Sequence, residues 1–387
     1  MRNPISENLQ QLMGEVVETN RKLVKGMEML MNISDLDTGT TPRDLVYQED
    51  RMRLFHYRPL VDKPSAVPLL ITYALVNRPY MMDLQEDRSL VRRLLEHGQD
   101  LYIIDWGYPG PGDRYLTLED YIAGYLDTAV DTVRERSRLD KINLLGVCQG
   151  GTFSVIYAAL YPEKIRNLVV MVTPIDFGTD DGLLHIWARA LNIDNMVDTL
   201  GVIPGDFLNA GFLMLKPFQL MLDKYVGLLD NLDKKETVEN FVRMEKWIFD
   251  SPSQAGEAIR QFVNDLYKKN LLIKNELRIG GRRVDLKRID MPLLNIYAEQ
   301  DHLVPPSASK PLNDAVSSQD KAIFSLRGGH IGIYVSAQSQ KQLAPNIAEW
   351  LAARSQLPVG PVSAGARKAG SPKKQAAKKQ GEKKQAE

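Results

Sequence analysis

The pattern of apolar and polar positions changes along the chain, and this change predicts its main elements. Residues 5–31 repeat apolar side chains every three or four positions, as an amphipathic helix does. From Arg51 the pattern becomes one of short apolar runs, several of them separated by helical stretches. The predicted strands are Met52–Tyr57, Leu69–Tyr73, Leu101–Asp105, Ile142–Val147, Leu168–Val172, Leu293–Tyr297 and Ala322–Leu326. Strands that alternate with helices indicate a mainly parallel sheet covered on both faces.

The strand pattern stops at Pro174 and resumes only at Pro292. The interval between them is mostly helical in pattern and apolar around residues 207–229, where interrupting charges exclude a membrane span. We interpret it as a cap inserted between strands of the sheet. The predicted organisation is an N-terminal helix and lead-in (1–50), a first core part (51–177), a cap (178–290), a second core part (291–356) and a disordered basic tail (357–387).

The N-terminal helix has two interpretations. It packs on its own domain, or it docks on a partner or surface, since Leu9, Val16, Leu23 and Leu30 keep a seven-residue repeat.

Composition limits the class of protein. Of 387 residues, 44% are hydrophobic and 25% are charged, as in ordinary soluble proteins, and no apolar segment typical of a signal peptide follows Met1. The single cysteine excludes an intrachain disulfide and any zinc site with several cysteine ligands, so we expect a reducing, cytoplasmic location.

The net charge of zero conceals an asymmetry. Residues 361–387 carry eight basic and two acidic side chains, a net charge of +6, and the preceding chain carries −6. We interpret this tail as a solubilising spacer, with electrostatic attachment to an anionic surface or nucleic acid as the weaker alternative.

The most informative segment surrounds the cysteine. The strand Ile142–Val147 is followed by Cys148 in a Gly-x-Cys-x-Gly sequence and then by a helical stretch, which is the nucleophile-elbow pattern with cysteine in place of serine. The glycines are expected because the strained turn leaves no room for neighbouring Cβ atoms. A thiol at a helix N-terminus is favoured as thiolate. The alternative is a buried structural cysteine.

A nucleophile on this fold needs an acid and then a histidine, each after a later strand. Asp301 follows the strand Leu293–Tyr297, and His330 follows the strand Ala322–Leu326, so the order Cys148, Asp301, His330 fits. Asp176 is the rival acid and His302 the rival base. The remaining histidines, His56, His97 and His185, are expected to have packing or surface roles.

Two backbone amides are expected to bind the developing oxyanion. The residue after the nucleophile, Gln149, supplies one N–H, and the loop after the strand Leu69–Tyr73 supplies the other, for which Val76 is our candidate. Asn77 and His302 are candidates for supporting positions around the site.

The choice of cysteine favours acyl transfer over hydrolysis. A cysteine that takes an acyl group from a thioester forms another activated thioester, which suits passing the group to an alcohol. No metal or other cofactor is expected, because such an acyl donor is already activated.

Several motifs together resemble the polyhydroxyalkanoate synthases, and most of all the catalytic subunit of the class III enzymes. The residues that carry this resemblance are Val76–Leu84, Asp105–Gly107, Gly146–Gly151, Asp301–His302 and Gly328–Gly332. The resemblance implies an α/β-hydrolase fold and polymerisation of short-chain (R)-3-hydroxyacyl-CoA, chiefly (R)-3-hydroxybutyryl-CoA, into polyester with release of CoA. It also implies that Cys148 is acylated, with His330 as general base. Asp301 would orient His330 and help activate the incoming 3-hydroxyl.

The resemblance further implies partners: a second, non-identical synthase subunit, further copies of this chain, and the surface of polyester granules. Two other functions stay open at this point. One is a cysteine-dependent thioesterase or dienelactone-hydrolase-like enzyme, and the other is a non-catalytic granule-surface scaffold.

Overall fold

A computed structural model describes residues 36–215, 224–232 and 234–356. The predicted amphipathic helix at residues 5–31 and the basic tail from residue 357 lie outside the described residues.

Eight strands form one central sheet. They are β1 (Arg43–Glu49), β2 (Met52–Tyr57), β3 (Leu69–Thr72), β4 (Leu101–Asp105), β5 (Ile142–Val147), β6 (Ile165–Met171), β7 (Leu293–Ala298) and β8 (Lys321–Leu326). The spatial order is β1-β2-β4-β3-β5-β6-β7-β8. The first two strands pair antiparallel and β2 is antiparallel to β4, whereas the other neighbours are parallel. The predicted, mainly parallel sheet is therefore confirmed.

The strand β1 is not among the strands predicted from the pattern. It lies in the segment interpreted as lead-in, so the sheet begins at Arg43 rather than at residue 51. The strand is at the edge of the sheet, where its side chains are exposed or half-buried. An edge strand does not need the continuous apolar run of a central parallel strand, and its sequence signal is correspondingly weak.

Thirteen α-helices lie in the described residues. They are α1 (Leu90–Glu96), α2 (Leu126–Ser137), α3 (Gln149–Leu160), α4 (Leu183–Ala190), α5 (Ile193–Leu200), α6 (Gly205–Met214), α7 (Lys224–Leu229), α8 (Lys235–Phe249), α9 (Gly256–Gln261), α10 (Pro306–Ser309), α11 (Leu312–Ala315), α12 (Gly332–Val335) and α13 (Ala337–Ala352). None of these helices is long and apolar enough to cross a membrane.

Shorter elements complete the chain. Wider π-turns span Asp120–Tyr125 and Phe262–Lys268, and 3-10 turns span Pro79–Met82, Pro111–Tyr115, Pro162–Lys164 and Leu286–Arg288. Two-stranded ribbons pair Asp83–Gln85 with Arg88–Ser89, Val202–Ile203 with Gln254–Ala255, and Arg278–Ile279 with Arg282–Arg283.

The core lies on both faces of the sheet. Neighbouring residues of a strand enter opposite layers: Leu144 and Val170 pack on one face, and Leu145 and Val169 pack on the other, all fully buried. This alternation is why the central strands read as continuous apolar runs. The helix α3 is buried along its whole length and follows β5 directly. Along the chain, the helices α4–α9 lie between β6 and β7, in the interval interpreted as the cap.

Candidate active site

Cys148 occupies the turn between β5 and α3. Its backbone has φ 54° and ψ −123°, an uncommon conformation for a residue that is not glycine. A Cβ on Gly146 would lie 2.5 Å from the Cα of Gly151, and one on Gly150 would lie 2.3 Å from the carbonyl oxygen of Thr72. The predicted steric reason for the flanking glycines is thus confirmed.

Asp301 and His330 meet at the carboxyl ends of β7 and β8. The Nδ1 atom of His330 lies 2.6 Å from the Oδ2 atom of Asp301, and both side chains are buried. The other carboxylate oxygen of Asp301 accepts hydrogen bonds from the backbone N–H groups of Leu303 and Val304, each at 2.9 Å. Three donors therefore fix this carboxylate, which orients the imidazole of His330.

The charge on His330 is set by opposing effects. Burial opposes protonation, but the Asp301 carboxylate and the Cys148 sulfur together hold the pKa of His330 well above its usual value. A protonated imidazole beside the sulfur favours a thiolate–imidazolium pair, the reactive state of a cysteine nucleophile.

The rival residues lie in other settings. Asp176 accepts hydrogen bonds from Gly178 N and the Asn270 side chain, at 2.9 and 2.7 Å. The ring of His56 lies 2.6 Å from Asp100, and His97 lies at the end of α1. Each is engaged locally rather than with His330.

The other two histidines, His185 and His302, have different surroundings. His185 is fully buried in α4, with its ring against Phe177 and Tyr267, and burial lowers its pKa to about 4. His302 lines the same cavity as Cys148, next to Asp301 in the chain. The predicted base, His330, is the histidine whose ring lies 2.6 Å from the Asp301 carboxylate.

The two predicted oxyanion donors belong to neighbouring segments. Gln149 is the first residue of α3, and Val76 lies in the loop after β3. The Gln149 side chain joins these segments, because its Oε1 atom accepts a hydrogen bond from Leu75 N at 3.0 Å. Within the described part of the chain, the N–H of Val76 donates to no other group. Both residues line the cavity, and their role as oxyanion donors stays a prediction.

The cavity around Cys148 has a volume of about 210 Å³. The core contributes Tyr73, Ala74, Val76, Asn77, Cys148, Gln149, Pro174, His302, Leu303, Val304, His330 and Ile331. The interval between β6 and β7 contributes Leu184, Asn209, Phe212, Leu213, Trp247, Ile248, Phe262 and Tyr267. Phe207, in the apolar stretch 207–229 of the predicted cap, is half-exposed and is not part of this lining, and Phe218 of the same stretch lies outside the described residues.

Sequence reasoning missed several residues of this lining. Tyr73 and Tyr267 are buried aromatic side chains, and their pKa values are raised chiefly by burial. Trp247 reaches the cavity from α8. Tyr73 directly follows β3, and its position after an early strand was the one available signal. The other two come from a region without a motif.

The described residues hold no group of three or more histidine, cysteine, aspartate or glutamate side chains that could bind a metal ion. The groups that the structure brings to the cavity include the Cys148 thiol and the His330 imidazole, which the Asp301 carboxylate orients.

Two family models match the chain. The alpha/beta hydrolase fold matches residues 68–337, and the poly-beta-hydroxybutyrate polymerase (PhaC) N-terminus matches residues 5–94. The first spans the strands β3–β8 and the helices between β6 and β7, and the predicted fold class is confirmed.

Similar proteins share nearly their full length with this chain. The poly(3-hydroxyalkanoate) polymerase subunit PhaC of Allochromatium vinosum is 54% identical over 353 residues, which make up 91% of this chain and 99% of that protein. The subunit of the same name from Thiocystis violacea is 52% identical over 353 residues, with the same coverage of 91% and 99%.

A solved structure of a soluble variant of monoglyceride lipase from Saccharomyces cerevisiae, in complex with a substrate analog, has a TM-score of 0.53 and 13% identity. It covers 84% of this chain and 100% of its own. At that identity the likeness shows the fold alone. The sequence relatives go further, and they confirm the family expected from the motifs: the chain belongs to the poly(3-hydroxyalkanoate) polymerase subunit PhaC family and has the α/β-hydrolase fold.

Proposed function

We propose that this chain polymerises short-chain (R)-3-hydroxyacyl-CoA, chiefly (R)-3-hydroxybutyryl-CoA, into polyester with release of CoA. The intermediate is a thioester on Cys148. The observation that carries the proposal is that the chain's single cysteine shares one cavity with His330, whose ring Asp301 holds at 2.6 Å. The names of the relatives, poly(3-hydroxyalkanoate) polymerase subunit, support this reaction.

Acylation begins with the Cys148 thiolate, which attacks the thioester carbonyl carbon of the substrate. The electron pair of the carbonyl moves to oxygen, and the N–H groups of Gln149 and Val76 stabilise the resulting oxyanion. When the carbonyl re-forms, the bond to the CoA sulfur breaks. His330, protonated in the resting pair, gives its proton to this leaving thiolate, so CoA departs as the thiol and the imidazole is left neutral.

Elongation uses the neutral imidazole as a base. His330 takes the proton of a 3-hydroxyl group while that oxygen attacks the acyl–Cys148 carbonyl, and the thiolate is regenerated as the new ester forms. Asp301 is absent from the cavity lining, and its carboxylate already accepts three hydrogen bonds. We therefore propose that Asp301 helps to activate the hydroxyl through His330 rather than by direct contact.

Hydrolysis is the competing outcome for such an intermediate. A cavity lined largely by apolar and aromatic side chains disfavours water relative to an acyl chain with a positioned hydroxyl. Purified protein mixed with 3-hydroxybutyryl-CoA distinguishes the two reactions. Insoluble polyester together with free CoA supports the polymerase, whereas soluble 3-hydroxybutyrate as the sole product would establish the hydrolase instead. If the Cys148→Ala variant still released CoA, the activity would not depend on this cysteine. That result would favour the alternative of a non-catalytic granule-surface scaffold.

We also propose that the chain acts with a second, non-identical subunit in a complex that contains more than one copy of this chain. Its relatives are named as subunits, which supports this assembly. CoA release measured with and without a co-purified second subunit tests it. An unchanged rate would contradict a functional partnership.

The proposed location is the cytoplasm, at the surface of polyester granules, where the hydrophobic product accumulates. The basic tail lies outside the described residues, and its role as a spacer or as an electrostatic contact stays a prediction. Deleting residues 361–387 and measuring granule association against salt concentration separates its two roles. A contact made by its net +6 charge weakens as ionic strength rises, whereas a spacer does not respond to salt.

A further inference from the structure

The loop that carries Val76 is bonded to the end of helix α8. The indole Nε1 atom of Trp247 donates to the carbonyl oxygen of Arg78 at 2.9 Å. The Asn77 side chain donates to the hydroxyl of Ser251 at 2.6 Å. The hydroxyl of Tyr80 donates to the Asp250 carboxylate at 3.0 Å. Residues 77, 78 and 80 are thus each tied to the short segment 247–251.

Asp250 is the centre of this contact. Its second carboxylate oxygen accepts from the hydroxyl of Tyr108, at 2.5 Å. Tyr108 lies in the loop after β4, and the guanidinium of Arg78 lies over its ring, 4.2 Å from the centroid. One carboxylate directly after α8 therefore joins the segments that follow β3 and β4.

The opposite side of the same loop is fixed by the core. Trp106 donates from its indole to the carbonyl oxygen of Tyr73 at 2.9 Å, and Asp105 binds the Arg78 guanidinium at 2.8 Å. Leu75 N donates to the Gln149 side chain at 3.0 Å. Val76 lies between these anchored residues with an N–H that donates to no other described group. Its direction is therefore set by the bonds on either side.

We infer that Asp250 is a positioning residue: by holding Tyr80 and Tyr108, it fixes the loop that presents the Val76 amide to the oxyanion. This inference rests on the proposed function, in which the Val76 amide is one of two donors to the oxyanion. It names the residue that holds this donor in place. A backbone displacement of about 1 Å at such a donor can cost on the order of 100-fold in rate. The same segment also contributes Trp247 and Ile248 to the cavity wall, so one short stretch covers the site and aligns the loop.

The test compares two reactions of the same thiol. Acyl transfer from 3-hydroxybutyryl-CoA needs the oxyanion donors, whereas alkylation of Cys148 by iodoacetamide needs only the thiolate. Asp250→Ala is expected to slow CoA release by about 10- to 100-fold while the alkylation rate stays within about twofold of the wild type. Asp250→Asn retains one acceptor oxygen and is expected to recover part of the rate. Tyr108→Phe, which removes one hydroxyl of a half-exposed ring, is a second variant with little risk to folding.

The control is Glu236→Ala on the same helix. Glu236 is an exposed acidic side chain in the first turn of α8, at the opposite end of the helix from Asp250. This variant is expected to keep both rates. The inference would be overturned if Asp250→Ala and Tyr108→Phe both released CoA at the wild-type rate. It would also be overturned if each of these variants lost CoA release and alkylation to the same extent. Failure of the proposed function itself would look different: wild-type protein would release no CoA, or Cys148→Ala would release it normally.

Discussion

The Nδ1 atom of His330 lies 2.6 Å from the Oδ2 atom of Asp301, although the two residues follow different strands. This contact fixes which ring nitrogen faces the carboxylate and leaves Nε2 for chemistry at Cys148. The contact also makes the charge of the imidazole depend on Asp301. Because a charged imidazole favours the thiolate of Cys148, changing Asp301 is expected to change the reactivity of the cysteine.

Asp301→Asn is expected to lower the pKa of His330, because the variant removes the carboxylate that favours the charged ring. The imidazolium then loses protons at a lower pH and no longer stabilises the thiolate. Alkylation of Cys148 by iodoacetamide should therefore slow near neutral pH, because fewer molecules hold the protonated ring that pairs with the sulfur. Because the chain has one cysteine, the total alkylation rate reports this site directly. A pH profile identical to that of the wild type would contradict the pairing.

Gly150→Ala is expected to destabilise the fold, because the new Cβ would lie 2.3 Å from the carbonyl oxygen of Thr72. Neither backbone can move without disturbing β3 or α3, so we expect a loss of about 1–3 kcal/mol in the free energy of unfolding, measured with urea. Gly211→Ala is the matched control, since nothing lies within 4 Å of its added Cβ in α6. Alanine should stabilise that helix by up to about 1 kcal/mol. Equal stabilities of the two variants would count against the close packing at the elbow.

His185→Phe is expected to weaken the dependence of stability on pH. Burial lowers the pKa of His185 to about 4, whereas the unfolded chain protonates this ring below about pH 6.5. Between those values the unfolded state binds more protons, so the wild type loses stability as the pH falls. Phenylalanine keeps an aromatic ring against Phe177 and Tyr267 and binds no proton. Urea unfolding at several pH values measures the difference, and parallel stability curves for the two proteins would refute it.

The elements closest to the reaction were the most predictable. The strands Leu101–Asp105 and Ile142–Val147 have the bounds that their apolar runs predicted, because central strands buried on both faces must be apolar along most of their length. The order of nucleophile, acid and histidine along the chain favoured Asp301 and His330 over the rivals Asp176 and His302, and the family resemblance implied the same two residues. Each of these features is local in the sequence or is fixed by the topology of the sheet.

Contacts made by the helices between β6 and β7 could not be predicted in the same way. Asp250 meets Tyr80 and Tyr108 across 170 and 142 positions of the chain. Neither a periodicity nor a motif marks such a contact, because it depends on how helix α8 packs on the sheet. The same holds for Trp247 and Tyr267 in the cavity wall. Sequence therefore indicated the nucleophile, acid and base, and the structure was needed to show what surrounds them.

The central claim is that the growing chain is carried on Cys148, and the most direct measurement is of that bond. Brief incubation with 3-hydroxybutyryl-CoA, acid quenching and mass spectrometry of the peptide that contains Cys148 should find a 3-hydroxybutyryl group, or a short oligomer of it, on the sulfur. The adduct should be absent from Cys148→Ala, and free CoA should appear with it. Polyester formed without any acyl group on this peptide, or by the Cys148→Ala variant, would contradict the account.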